Sequence, residues 1–169
     1  MEYLHLIYLA LPCYVANMLP VVAQRLNLLP AWHKPLDGGA TIFGKRIFGD
    51  HKTIRGLLIG ISGAMVVSYL QFVLVKINWL ALPELNGWLQ FLGFGFLAGL
   101  GALAGDALAS LIKRQLNIPS GAPLIIFDQL DYLLGWFLLT RIFINWTAHQ
   151  ILFLLLFTLI IHPLSNLLA

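Results

Sequence analysis

Residues 87–108, GWLQFLGFGFLAGLGALAGDAL, hold a single charged group, Asp106, which stands near the end of the run. A stretch of roughly 20 mainly apolar residues is what a helix needs to cross the hydrocarbon core of a bilayer. Four further segments of the 169-residue chain read the same way, at 3–22, 54–75, 124–139 and 149–168. With 60% hydrophobic and 10% charged residues, the composition lies far outside the range of a soluble domain. The expected fold is therefore all-α: a polytopic membrane protein of about five transmembrane helices, in one domain over residues 1–169. The segment at 124–139 is short and opens on carboxylates, so its start is expected to be a water-exposed turn rather than lipid-facing helix. The first apolar run lacks a basic start and a small-residue cleavage site, so no cleavable signal peptide is expected. Cys13 is the one cysteine, which excludes an intramolecular disulfide or a cysteine metal cluster.

The charges sort among the connections. Arg25, Lys34, Lys45, Arg46 and Lys52 lie between the first two segments with Arg55 at the start of the second, and Lys113 and Arg114 lie between the third and fourth. The other connections hold only Lys76 with Glu84, and Arg141. Basic loops stay in the cytoplasm, so the N-terminus is expected outside and the C-terminus inside, in the inner or plasma membrane of the cell, with the long first loop cytoplasmic. Every group able to do chemistry then faces the cytoplasm. Trp79, Trp88, Trp136 and Trp146, near segment ends, read as interfacial anchors. Gly95 with Gly99 and Gly101 with Gly105 have the small-xxx-small spacing of close helix packing or of a homodimer seam.

The first loop is about 30 residues long, a length at which loops are usually functional or disordered. Its stretch from Pro35 to Gly56 keeps apolar residues interleaved with Asp37, Gly38, Gly39, Gly44, Lys45, Arg46, Gly49, Asp50, His51, Lys52, Thr53 and Arg55, unlike a solvated tail. Glycines let backbone N–H groups approach an anion, and Lys and Arg add charge-assisted bonds to phosphate oxygens. Lys52 to Arg55 also stand where the second helix should begin, at the end whose free N–H groups and dipole favour an anion. A phosphate cradle follows. A loop that merely sets topology would need the charge but not the glycines, Asp37, Asp50 and Thr53. The spacing does not match a Walker A loop. His33 and His51 are weaker signals, since an exposed loop histidine is more often incidental.

Asp106, Ser110 and Lys113 follow at spacings of four and three, so a continuing helix sets them on one face. Asp128 and Asp131 share a face of the fourth segment's opening turn. Carboxylates in such sequence are costly unless they are partnered. Where the two helix ends meet, Asp106, Asp128 and Asp131 could share one or two Mg²⁺ ions, which take oxygen ligands, one or two carboxylates and substrate phosphates. Helix capping by Asp128 or Asp131 and pairing of Asp106 with Lys113 or Arg114 are the structural alternatives, but capping hardly accounts for an intramembrane Asp106. A proton or ion pathway would leave the glycine-rich loop unexplained.

Two motif blocks carry a resemblance. The first is Leu36-Asp37-Gly38-Gly39, Gly44-Lys45-Arg46 and Gly49-Asp50-His51-Lys52-Thr53-Ile54-Arg55-Gly56. The second is Gly105-Asp106, Ser110, Lys113-Arg114, Leu116-Asn117-Ile118, Gly121-Ala122-Pro123 and Asp128-Gln129-Leu130-Asp131. Together they resemble the CDP-archaeol synthase family, membrane cytidylyltransferases that join CTP to an ether-lipid phosphate, and more distantly the CDP-diacylglycerol synthases. The likeness runs from about residue 35 to residue 135. The larger CDP-diacylglycerol synthases have a Lys-Asp pair where Pro119-Ser120 stand here, and Asp-Arg-x-Asp where this chain has Asp128-Gln129-Leu130-Asp131. The archaeol branch fits better, although an isoprenoid ether and a diacyl lipid present the same phosphate.

The resemblance implies that a lipid phosphate attacks the α-phosphorus of CTP and releases pyrophosphate. On that reading Asp106, Asp128 and Asp131 hold Mg²⁺ against the triphosphate, and Lys45, Arg46, Lys52, Arg55, Lys113 and Arg114 offset the remaining negative charge. Asp37, Gly38, Gly39 and Thr53 become nucleotide-loop contacts, with Asp50 and Ser110 in the same site. The implied partners are CTP, a lipid phosphate and membrane lipid, with no nucleic acid. Two alternatives stay open: a small transporter of an anionic solute, and another lipid-phosphate enzyme. Against the latter, the longer aspartate pattern of phosphoalcohol transferases and the histidine among arginines of acid phosphatases are not evident.

Overall fold

A computed structural model describes residues 2–119, 122, 124 and 126–167, with the backbone alone at 2 and 162–167. Gly121 and Pro123 of the second motif block, and Ser120, lie outside the described residues. Five α-helices form the body: α1 Glu2–Arg25, α2 Ile54–Lys76, α3 Trp88–Gln115, α4 Phe127–Thr140 and α5 Ala148–Leu167. Three of them, α1, α2 and α3, are long and apolar enough to cross a membrane. α4, read as a span from the sequence, has only 14 residues. At 1.5 Å per residue it covers about 21 Å, short of the roughly 30 Å of a hydrocarbon core.

α3 is the central helix, packed between α2 and α4 and also touching α1. Its glycines make that possible on two faces. A Cβ on Gly95 or Gly99 would stand 2.8 Å from the Cα of Met65 or Ile61 of α2. A Cβ on Gly101 or Gly105 would run into the α4 backbone at Gly135 or Asp131. Real Cβ atoms do not come so close, so both small-residue pairs serve helix packing inside this chain, by the close-approach logic of small-xxx-small seams. The second contact has a functional consequence: Gly105 sets its neighbour Asp106 beside the opening turn of α4.

One of the two prolines inside α1, Pro12, is compensated across the bundle. Pro12 cannot donate to the carbonyl of Tyr8 four residues back, and Gln71 of α2 supplies that carbonyl with a side-chain N–H instead. Among the tryptophans, Trp79 and Trp88 are exposed as interfacial anchors would be. Trp136 is not: it is fully buried, with Trp146 and Phe137 packed on its ring at centroid distances of 4.8 and 4.9 Å. The correction follows from α4 lying against α3, which draws this indole into the core with Phe91, Phe94 and Leu133. Cys13 is a buried free thiol, as a small core hydrophobe would be.

The first loop adds the non-helical elements that a purely helical expectation lacks: a 3-10 turn at Pro30–Trp32 and a hairpin of β1 Thr41–Ile42 with β2 Lys45–Arg46. Its ends are tied together. Pro35 bridges Thr53, Leu36 N–H donates to the Lys52 carbonyl at 2.7 Å, and Ile54 N–H donates to the Lys34 carbonyl at 2.9 Å. A long loop with joined ends is a folded unit, an arrangement that favours function over disorder.

Candidate active site

One end of the bundle gathers the end of α1, the start of α2, the last turns of α3, the start of α4 and the first loop around a cavity of about 460 Å³. Its walls carry Lys52, Thr53 and Arg55, then Asp106, Ser110, Lys113 and Arg114, and Asp128. α3 runs on to Gln115, as the common face of Asp106, Ser110 and Lys113 requires. Eight of the residues singled out in the sequence thus come together, drawn from segments more than 70 positions apart.

Two ion pairs cross the cavity. Lys52 Nζ stands 2.5 Å from Asp106 Oδ2, joining the loop to α3, and Lys113 Nζ stands 2.7 Å from Asp128 Oδ1, joining α3 to α4. The second oxygen of Asp128 accepts the N–H of Leu124 at 3.0 Å, so the carboxylate also holds the turn before α4. Arg55, only 3% exposed, donates to the carbonyl of Leu28 at 3.0 Å. Arg114 has a buried Nε with no partner among the described residues. Thr53 caps α2, its hydroxyl accepting the N–H of Gly56 at 3.1 Å. Four cationic side chains against two carboxylates give the walls a net positive charge suited to a polyanion.

The rest of the glycine-rich loop builds the frame instead of the wall. Asp37, its side chain 0% exposed, accepts the N–H groups of Gly39, Phe48 and Gly49 at 3.0–3.1 Å and two N–H donors of Arg46. Arg46 also reaches Asp50 at 3.0 Å. Lys45 Nζ donates to the carbonyl of Gln115 at 2.6 Å, at the negative end of the α3 dipole. Asp37, Gly38, Gly39, Lys45, Arg46 and Asp50, expected at the nucleotide, do not line the cavity. The charged members are engaged with one another or with α3, because a loop without a core of its own must satisfy its backbone through side chains.

Burial alone would push the Asp37 carboxyl up, but the Arg46 guanidinium and the N–H groups of Phe48, Gly39 and Gly49 outweigh it and hold it well below the usual carboxylate range. A depressed folded value stabilises the loop fully above the unfolded pKa of about 3.9 and loses that contribution as pH falls through the folded value. Relative to the intrinsic rate at each pH, hydrogen exchange across residues 37–50 is therefore expected to stay slow down to about pH 4 and to quicken below it. In an Asp37→Asn protein it should already be fast near neutrality; unchanged protection would remove Asp37 from this role.

Asp131 is 9% exposed, accepts the N–H of Tyr132 at 2.6 Å and does not line the cavity. Among the described residues no three Asp, Glu, His or Cys side chains cluster closely enough to hold a metal ion. The three-carboxylate metal site read from the sequence is thus not assembled, since Asp106 and Asp128 each face an ammonium group and Asp131 turns to its own backbone. The donor set still fits Mg²⁺ of the kind that arrives with phosphates: Asp106 and Asp128 offer hard oxygen donors on the wall, and one or two carboxylates suffice. Sequence reasoning passed over Asn17 and Gln24, which line the cavity from α1. Two amides seven residues apart in an apolar segment share a helix face, and that spacing was the available signal. His51 is also on the wall; His33 is not.

Comparison with known proteins bears on this site. The model of the CarS-like CDP-archaeol synthase family matches residues 2–169. A CDP-archaeol synthase of Thermococcus gammatolerans is 38% identical over 158 residues, covering 92% of this chain and 84% of that protein. The Methanopyrus kandleri CDP-archaeol synthase is 34% identical over 163 residues, covering 95% and 84%. A solved structure described as an intramembrane enzyme for archaeal membrane lipids biosynthesis superimposes with a TM-score of 0.78 at 32% identity, covering 95% of this chain and 92% of its own. With its whole described length matched and the motif residues gathered at one cavity, the chain belongs to the CDP-archaeol synthase family.

Proposed function

We propose that this protein transfers the cytidylyl group of CTP to the phosphate of a membrane lipid, yielding a CDP-lipid and pyrophosphate. The observation that carries it is the cavity where Lys52, Arg55, Lys113 and Arg114 meet Asp106 and Asp128 at one end of a membrane-spanning bundle. Each ion pair there can open in a matched way. When a triphosphate enters, Lys52 and Lys113 can turn to its oxygens, which would leave the carboxylates of Asp106 and Asp128 free to hold an accompanying Mg²⁺. That ion would be held by Asp106 and Asp128; when bound, it would neutralise charge and polarise phosphoryl oxygens.

The lipid phosphate attacks the α-phosphorus and the bond to the β-phosphate bridge breaks. No general base is required, because a phosphate monoester with a second pKa of about 6 is already largely ionised at neutral pH. Positioning and charge compensation then dominate, and Arg55 and Arg114 stabilise the departing pyrophosphate. The basic connections favour a cytoplasmic cavity and an outside N-terminus in the cell membrane, by the positive-inside rule. The relatives are named for CDP-archaeol, so a phosphate of archaeol is the first choice of acceptor.

Purified protein with labelled CTP, Mg²⁺ and a panel of archaetidic and phosphatidic acids is expected to form a labelled CDP-lipid only when a lipid phosphate is present. Absence of product with every acceptor would sink the reading.

A further inference from the structure

The hairpin of the first loop carries a feature that the reaction does not use. Ile42 pairs with Lys45, and between them Phe43 and Gly44 both have positive φ, 52° and 74°. A two-residue turn of this kind favours Asn, Asp or Gly, so a phenylalanine is an unfavourable occupant. Phe43 is 93% exposed, and the neighbouring Ile42 is 39% exposed. Neither residue packs in the core or lines the cavity.

The hairpin's position limits what can cover this tip. Lys45 fastens it to the carbonyl of Gln115, the last residue of α3. With 28 residues, α3 is about 42 Å long, some 12 Å more than a hydrocarbon core of roughly 30 Å, so its end stands within the polar layer of the bilayer. Phe43 is two residues from Lys45, at most about 7 Å of extended chain. The tip is therefore held within reach of the bilayer surface, with the basic pair Lys45 and Arg46 behind it. Apolar side chains backed by Lys and Arg are the pattern of an element lying in the interface.

We infer that Ile42 and Phe43 insert into the headgroup–acyl boundary of the leaflet nearest the cavity, so that the first loop is a membrane-seated strap. Its seating fixes the loop at the depth where lipid phosphates lie. The inference rests on the membrane location of the chain and not on the reaction assigned to it.

Cys13 is buried, so Phe43→Cys supplies one accessible thiol for an environment-sensitive fluorophore, and the exposure of Phe43 means the fold should tolerate the change. The labelled protein is reconstituted at high dilution into vesicles of neutral and anionic phospholipids with brominated acyl chains. Blue-shifted emission quenched by the bromolipids supports insertion. Water-like emission without quenching overturns it. A blue shift that escapes bromolipid quenching and fades as protein is diluted in lipid means a second copy covers the tip, which also overturns it. Quenching should likewise survive in an Asp128→Asn background, where the proposed chemistry is lost.

Discussion

Asp128→Asn is expected to lower CDP-lipid formation by at least about 100-fold while the protein remains folded in detergent, a loss comparable to removing one preorganised electrostatic group from an active site. The reason lies in the two jobs of this carboxylate. One oxygen holds the Leu124 N–H and the other faces Lys113. Asparagine can keep the first contact through its carbonyl oxygen, so the turn before α4 should survive. It cannot supply the negative charge that balances Lys113 and that would face Mg²⁺ beside a bound triphosphate. Turnover should fall, and the Mg²⁺ concentration needed for what remains should rise. Near-normal turnover at the usual Mg²⁺ concentration would remove Asp128 from the metal half of the site.

Lys52→Ala is expected to weaken CTP binding by about 10- to 100-fold, the range of a charge-assisted hydrogen bond worth about 1.5–3 kcal/mol. Among the described residues, Lys52 is the one loop cation whose ammonium group faces a carboxylate on the cavity wall, whereas Lys45 and Arg46 are held by the frame. Its removal also leaves Asp106 without a counter-charge, which repels the incoming triphosphate. Lys52→Arg keeps the charge and should recover part of the affinity. Titration of CTP into the detergent-solubilised protein measures both variants; an affinity equal to that of the unaltered protein would take Lys52 out of the site. By the same geometry Lys45→Ala should loosen the loop without removing a phosphate contact.

The spans over 54–75 and 87–108 were legible because long apolar runs have few other uses, and the common face of Asp106, Ser110 and Lys113 was legible because helical spacing fixes faces. What stayed hidden depends on contacts between distant segments. Nothing local says that Gly101 and Gly105 meet α4 while Gly95 and Gly99 meet α2, or that Trp136 is drawn into the core. The residues of the glycine-rich loop were rightly read as belonging to an ordered unit, but the allocation of its charges was not readable. Asp37 and Lys45 look like ligand-binding groups in a string of letters. In three dimensions one saturates a turn and the other caps the end of α3. Asp131 shows the opposite limit: the i, i+3 spacing placed it near Asp128, but whether its oxygens turn outward depends on a local bond to Tyr132.

The most direct test follows the label. Given the protein, Mg²⁺ and a lipid phosphate, CTP labelled at the α-phosphorus should pass its label into the lipid fraction, while label at the γ-phosphorus should leave entirely as pyrophosphate. Label from the γ-position in the lipid, or α-label released as free CMP without any lipid product, would contradict attack by the lipid phosphate at the α-phosphorus.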